Sequence, residues 1–364
     1  MSLRKICYVV AYRDPEYIRT RTLKAALQKL DGCIVFDATN TRSGWLRYFE
    51  TLLKTIWIRI QHNPDIYILG FRGHEIFLPV RLISLGKRLV FDEFMSPSAA
   101  LTIEKKAGAL GKLIGYLLYP IEKMCLHLSG RCLTDTEAHL RFIGGSFGIR
   151  GSRISVVYVG ADTDTPEIGP IPTSLPLTFE KPLTVLFYGT FLPLHGIDVI
   201  LKACHLMAGR PVQFQIIGGK GKQLSEFHDL RHRLNIDNVI HKPWVDFEEL
   251  KSVLIPQADL CLGGPFGGTP QAKRVITGKT FQFLAQAKAT VIGRTYEPVE
   301  FVDRENCLLV DQANPEQLAM TLDWAVANRS HLPMIGWRGR QLYCKRFSVD
   351  ALSKQLAVAI GVQD

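Results

Sequence analysis

The sequence contains no uninterrupted apolar run near the roughly 18 residues that a membrane span requires. Its start, MSLRKICYVVAYRDPEY, carries an apolar run too short for a signal peptide, and Arg13, Asp14 and Glu16 follow at once. These absences point to a first strand in a cytoplasmic protein. No CxxC pair occurs. Cys7, Cys33, Cys125, Cys132, Cys204, Cys261, Cys307 and Cys344 stand singly, most of them inside apolar runs. That pattern excludes a clustered zinc site and fits reduced, buried thiols. No GxGxxG follows either candidate first strand. One runs into Tyr12-Arg13-Asp14-Pro15 and the other into Gly189-Thr190-Phe191-Leu192-Pro193, which argues against a nicotinamide dehydrogenase. Gly278-Lys279-Thr280 has Lys273 where a phosphate-binding Walker loop needs glycine. There is no HExxH helix and no His/Cys cluster, so a metal enzyme is not indicated. The basic segments are not interleaved with aromatics as in RNA modules, which speaks against a nucleic-acid partner.

What is present is a chain of 364 residues, enough for about two domains at roughly 150 residues each. Hydrophobic residues make up 47% and charged residues 21%, the balance of an ordinary globular protein. The net charge is +10, and it is uneven. Residues 1–165 hold 23 Lys plus Arg against 15 Asp plus Glu, a net of +8, while the remainder holds 21 against 19. A basic half suggests an anionic partner: nucleic acid, a phosphorylated substrate or an anionic membrane surface.

Short apolar runs alternate with longer amphipathic ones. Strands are predicted at Lys5–Tyr12, Cys33–Ala38, Asp65–Gly70, Arg88–Phe94, Arg131–Thr134 and Arg153–Gly160. Helical patterns between them fall at Pro15–Leu30, Gly44–Gln61, His74–Leu85, Glu104–Leu128 and Glu137–Phe147. This alternation means a parallel sheet covered by helices. Asp162–Pro182 is rich in Pro and Thr, has no period, and reads as a linker. The alternation then restarts. Strands are predicted at Leu183–Tyr188, Val212–Gly218, Val239–Pro243, Asp259–Gly263, Thr290–Gly293 and Cys307–Val310. Helices are predicted at Gly196–Met207, Lys222–Leu234, Phe247–Leu254, Thr280–Ala287, Pro315–Asn328 and Ser348–Ile360. The fold class is therefore α/β with two doubly wound, Rossmann-like domains. Domain bounds are 1–165 and 183–345, with 166–182 as linker and 346–364 as a C-terminal helix returning toward the first domain. Two such domains facing each other make a cleft, and ligands bind beyond the carboxyl ends of the strands.

The richest strand end is Asp259–Ile292. A buried strand ends at Gly263-Gly264, followed by Phe266, Gly267, Gly268 and Pro270, then Lys273, Arg274 and Lys279, and a helix opens near Thr280. Glycines allow close backbone approach, a helix N-terminus favours an anion, and three cations would hold a diphosphate. A solvated basic loop is the plainer reading of the same residues.

This segment resembles the nucleotide-sugar signature of GT-B glycosyltransferases, specifically glycosyltransferase family 4. Thr277–Val291 is similar to that family's "PNK-x-x-E-x-x-A-x-G-x-P-V" stretch. Further likenesses lie at Cys132–His139, at Ile154–Asp162, at Leu183–Gly196 and at Ala258-Asp259-Leu260. Five pieces in order span most of the chain. The resemblance implies transfer of a hexose or related sugar, usually with retention, from a nucleotide-diphosphate donor held by the second domain. The acceptor, a saccharide that is in one version lipid-linked, would lie on the first, as in polysaccharide assembly. No cofactor and no obligatory metal are expected. A GT-B sugar-nucleotide epimerase and an inactive nucleotide-sugar-binding subunit are the alternatives.

Donor contacts implied by the resemblance are Gly189, Thr190, His195, Gly196, Gly218, Gly219, Lys220, Trp244, Val245, Gly264, Phe266, Gly267, Lys273, Arg274, Lys279 and Gln282. The chain departs from the family pattern at four of them. Arg274 and Gln282 stand where the family has its acidic pair, and Thr190 and His195 where it has Arg and Lys. Lys273, Arg274 and Lys279 are expected to compensate. Trp244 reads either as a base-stacking ring or as a core aromatic, and His241 as structural. On the acceptor side, Tyr12, Arg13, Asp14, Arg19 and Arg72 follow strand ends, although Arg19 also reads as part of a solvated helix face. Asp92, Glu93 and His74 are the catalytic candidates, because a carboxylate there could orient an acceptor hydroxyl or take its proton. His139 reads as a satisfied structural histidine. Lys105–Leu128 reads either as a basic helix on an anionic, cytoplasmic membrane face or as an ordinary helix with its apolar stripe turned inward.

Overall fold

The computed structural model describes residues 3–104, 108–161 and 181–362. Most of the stretch read as linker, and Lys105 and Lys106, lie outside the described residues. The chain divides into two compact units. One comprises Met1–Thr163 with Phe347–Asp364, the other Asp164–Arg346.

The first unit is built on β1 (Arg4–Val10), β2 (Cys33–Thr39), β3 (Ile66–Leu69), β4 (Arg88–Asp92), β5 (Arg131–Thr134) and β6 (Ile154–Val156). All pairings are parallel, in the order β2-β1-β3-β4-β5-β6. The second is built on β7 (Leu183–Gly189), β8 (Val212–Gly218), β9 (Val239–Lys242), β10 (Leu260–Leu262), β11 (Thr290–Gly293) and β12 (Leu308–Val310). Its order is β12-β11-β10-β7-β8-β9, again all parallel. The central strands are buried on both faces, which is why Ile6–Val10 and Leu260–Leu262 read as unbroken apolar runs. Every predicted strand is present, with ends shifted by a few residues at most of them. Strand order reverses between β1 and β3 and between β7 and β10, the points where doubly wound sheets bind ligands.

Two helices depart from the sequence reading. Pro97–Thr102 was not anticipated, although Ser96 caps it by accepting from the Ala99 N–H. Leu332–Arg346 was not anticipated either, and Gly336 and Gly339 weaken its helical signal. Here they are contact points. A Cβ on Gly336 would lie 2.0 Å from the Ala287 carbonyl oxygen, so only glycine lets the helix approach that backbone. The expected His74–Leu85 helix opens as a 3-10 turn at Gly73–Ile76 before Phe77–Ile83.

The helix Val349–Ile360 belongs to the first unit. Leu352, Leu356, Ala359 and Ile360 pack with Leu23, Ala26 and Leu27 of the Ile18–Gln28 helix and with β1. Lys29 pairs with Asp350 at 2.6 Å.

On the opposite face, the amphipathic pattern is turned outward. In Leu46–His62 the buried positions are Thr51, Thr55 and Ile58. Thr51 donates to the Val10 carbonyl at 3.0 Å, so a polar residue seats the helix on the sheet. The apolar series Phe49, Leu53, Ile56, Trp57 and Ile60 is exposed, Ile60 to 72%. In Gly108–Leu128 the inward residues include Gly111, Gly115 and Glu122, while Leu113, Ile114, Tyr116 and Leu117 face out. Leu78, Leu82 and Leu85 are exposed beside these two helices. No described helix is long and apolar enough to cross a membrane.

Leu356→Ala removes a wholly buried side chain from the seam between the two terminal helices. It should cost the first unit about 2–5 kcal/mol. Hydrogen exchange should show protection lost in β1 and Ile18–Gln28 and kept in β7 to β12.

Candidate functional site

At the reversal point of the second sheet, three loops meet backbone to backbone. A Cβ on Gly218 would lie 2.0 Å from the Gly189 carbonyl oxygen, and the Gly219 N–H donates to that oxygen at 3.0 Å. Gly196 has φ +65° and faces Gly267, whose N–H donates to the Leu194 carbonyl at 3.1 Å. His241 Nε2 donates to the Gly218 carbonyl at 2.9 Å, which gives that histidine a positioning role. Phe191, just after β7, is buried at φ +58°, a strained conformation for a bulky residue, and is held beneath Gly219. Glycine at these contacts lets the ends of β7, β8 and β10 converge.

The helix Gly278–Ala285 starts at this convergence. The Thr277 hydroxyl donates to the Gly263 carbonyl at 2.6 Å and lies 3.0 Å from the Thr280 hydroxyl. Lys279 sits in the first turn and reaches back to β7. Its Nζ is 5.0 Å from the centre of the Phe187 ring. A Cβ on Gly189 would lie 3.6 Å from Lys279 Cε and 3.1 Å from the His195 ring, so both side chains cover the end of β7. Lys279 is only 6% exposed, and no carboxylate pairs with it among the described residues. Burial lowers its pKa to about 7. His195 is kept neutral, first by burial and then by the Lys279 charge, and its Nδ1 has no hydrogen-bond partner. An amine and an imidazole without a counter-charge, beside helix-terminal N–H groups, form a place for an anion.

The remaining donor candidates sort by exposure. Lys273 and Arg274 lie on the turn Ala272–Arg274 and are half-buried. Lys273 Nζ rests 5.7 Å from the Tyr296 ring centre. Thr190 and Lys220 are exposed. Gln282 is buried on the same helix as Lys279. Gly264 follows β10 directly. Phe266 is buried in the unit's core, so its side chain packs and does not face a ligand. Val245 packs against the cluster around Leu250 and Leu254. Trp244 is 74% exposed, which overturns its reading as a core aromatic.

In the first unit, Arg19 and Asp92 take each other. Both are essentially buried, and Arg19 Nη2 meets Asp92 Oδ1 at 2.7 Å, with Nε donating to Oδ2 at 3.1 Å. Nη1 donates to the Val157 and Tyr158 carbonyls. Neither residue is free for a substrate, which corrects the acceptor role expected of Arg19, its reading as a solvated face, and the catalytic role expected of Asp92. Glu93 is wholly buried and lies 2.7 Å from His74 Nε2, away from solvent. Burial pushes the Glu93 carboxyl up to about 8 and pulls His74 down to about 4. So enclosed, Glu93 does not meet an acceptor hydroxyl. Arg13 and Asp14 are exposed, and Arg72 pairs with Glu75 at 3.0 Å.

Four rings gather where the strand order reverses, beyond β1, β3 and β4. Tyr12 and Phe71 have centroids 4.8 Å apart, Tyr17 stacks on Phe71 at 5.1 Å, and Phe94 meets Phe71 at 5.2 Å. Beside β5, His139 Nδ1 pairs with Asp135 at 2.8 Å, so the structural reading of His139 fits its contacts. Sequence reasoning missed Tyr17, Phe94, Asp135 and Glu122. The spacing of Asp135 and His139 at i, i+4 signalled that pair, and Glu122 stood out as a lone acid in an apolar helix.

Occupation of the Lys279 pocket by a diphosphate should raise the lysine's pKa, because the anion favours the charged amine. Binding then takes up a proton above pH ~7, and affinity should fall by up to about tenfold per pH unit there. Calorimetry in buffers of different ionisation heat would read the uptake, and Lys279→Met should abolish it.

No family model and no curated protein matches this chain in sequence. Among solved structures it is similar to HepE from Anabaena in complex with UDP and glucose, at 14% identity over 99% of this chain and 100% of that one, with TM-score 0.71. It is similar to a sucrose-phosphate synthase from Thermosynechococcus elongatus, at 14% identity over 98% of both chains, with TM-score 0.72. It also matches the lipopolysaccharide outer core galactosyltransferase WaaB at 15% identity, 98% and 99% coverage and TM-score 0.64. At such identities the likeness is one of architecture, and the architecture of this chain is the GT-B fold.

Proposed function

We propose that the protein is a glycosyltransferase that moves a hexose or related sugar from a nucleotide-diphosphate donor to a saccharide acceptor, with retention, as family 4 enzymes do. The observation that carries this reading is Lys279, a buried cation without a counter-ion at a helix N-terminus and a strand-order reversal. Cleavage of the donor's glycosidic bond leaves negative charge on the departing diphosphate. Lys279 and the N–H groups of the Gly278–Ala285 helix stabilise that charge without reorganising. Neutral His195 adds a hydrogen-bonding group on the same side. Thr190 and His195 thus do without the family's two cations because a single lysine brings charge to the end of β7 from the neighbouring element. Lys273, Arg274 and Gln282 line the approach, and exposed Trp244 is available to stack on a base. UDP-sugars are the first donors to try, since the HepE structures hold UDP, glucose and UDP-glucose. The rings of Tyr12, Tyr17, Phe71 and Phe94 suit the apolar face of an acceptor sugar.

The outward apolar stripes of Leu46–His62 and Gly108–Leu128 support a lipid-linked acceptor met at an anionic, cytoplasmic membrane surface. Exposed Arg42, Lys112 and Lys123 lie among these side chains, as interfacial helices require.

Calorimetric titration with UDP, GDP, ADP and CMP should show one nucleotide binding, with Lys279→Ala reducing its affinity at least about tenfold. Wild-type affinity in that variant, or no binding of any nucleotide, would overturn the donor site. Trp57→Glu with Leu53→Glu should abolish cosedimentation with anionic liposomes at low salt while leaving nucleotide affinity unchanged. Retained cosedimentation would exclude this face.

A further inference from the structure

A second group of ionisable side chains in the first unit takes no part in the donor chemistry. His74 stands on the Gly73–Ile76 turn after β3, Glu93 follows β4, and Glu122 lies in the Gly108–Leu128 helix. One ligand atom from each lies within 4.8 Å of the other two. Glu93 is 0% exposed, and the Glu122 carboxyl and His74 Nε2 both face its oxygens. His74 Nε2 is 2.7 Å from Glu93 without the alignment of a hydrogen bond, and Nδ1 has no hydrogen-bond partner. Glu122 is braced from behind, with the Ser98 N–H donating to Oε2 at 3.0 Å while Oε1 has no partner.

Two carboxylates so close and so buried repel, and either a shared proton or a cation between them relieves the repulsion. The nearby arginines are committed elsewhere, Arg19 to Asp92 and Arg72 to Glu75. No Lys or Arg pairs with Glu93 or Glu122 among the described residues. One imidazole with two carboxylates is a donor set for a first-row transition ion. Ligand bonds of roughly 2.0–2.2 Å place such atoms about 3–4 Å apart, and here they lie within 4.8 Å of one another. Calcium and magnesium ask for more oxygen ligands than this pocket offers.

We propose that His74, Glu93 and Glu122 bind one divalent transition ion of the zinc class, a structural clasp joining the β3 and β4 loops to the Gly108–Leu128 helix. The clasp is independent of the donor site and stands or falls separately from the transferase reading.

The test uses full-length protein without a histidine tag, stripped by chelator and titrated with Zn²⁺ and Co²⁺. The wild type should take up roughly one ion per chain, gain thermal stability with Zn²⁺ and show visible ligand-field bands with Co²⁺. Glu93→Gln and Glu122→Gln keep shape while removing charge, and each should weaken binding at least about tenfold and lose the bands. His228→Gln, at an exposed imidazole, should change neither. If either Gln variant fails to fold, the other carries the test, with circular dichroism as the check. Wild-type affinity in a folded Gln variant, or no ion bound by the wild type, would overturn the clasp and leave a carboxyl pair that shares a proton.

Discussion

The first unit is organised around one guanidinium. Arg19 enters from the first helix and clamps Asp92 at the end of β4, and its remaining nitrogen reaches the carbonyls of Val157 and Tyr158 beyond β6. Helix, central strand and sheet edge are therefore fixed by a single side chain that is 0% exposed. Burial of two charges is costly, and it is tolerated here because nearly every donor of the fork has an acceptor. Loss of either partner would strand the other. The pair also leaves the chemistry of this strand end to the rings and groups around it.

The second unit solves a different problem with glycine. Backbones of three strand ends must nearly touch, and side chains are excluded where they do so. The crowding brings a helix start, a lysine from that helix and a histidine from another loop over one glycine. Lys273 and Arg274 stay on a half-buried turn, while Lys279 reaches back to the end of β7, where burial lowers its pKa to about 7.

Much of this was legible in the residues. Parallel strands buried on both faces must be apolar runs, and Gly, Pro and charged residues mark their ends, so all twelve strands could be read. The glycine-rich turn followed by lysines marked the strand end where three loops converge. Which of those lysines is buried there depends on packing, and linear spacing does not carry that. Asp92 and Glu93 were indistinguishable as neighbours, yet successive residues at a strand end point to opposite faces. One meets Arg19 and the other His74 and Glu122. The helix Leu46–His62 was recognisable by its period, but its facing was not. Its apolar stripe implies an inward face, and the structure seats it on Thr51, Thr55 and Ile58 instead. Glycines at 336 and 339 weaken a helical signal because close backbone approach and helix termination use the same residue.

The placement of Val349–Ile360 has a consequence for how the chain is made. The first unit is discontinuous, with the whole of the second inserted before its last segment. On a ribosome, the first sheet emerges early but cannot bury Leu23, Ala26 and Leu27 under their final cover until Val349–Ile360 has followed the whole second unit. The second unit is complete before that moment and can fold while the first still waits. Domains of a nascent chain usually mature in order from the amino terminus. Here the first unit's core is closed only by a segment made after the second unit, so the second can be complete first.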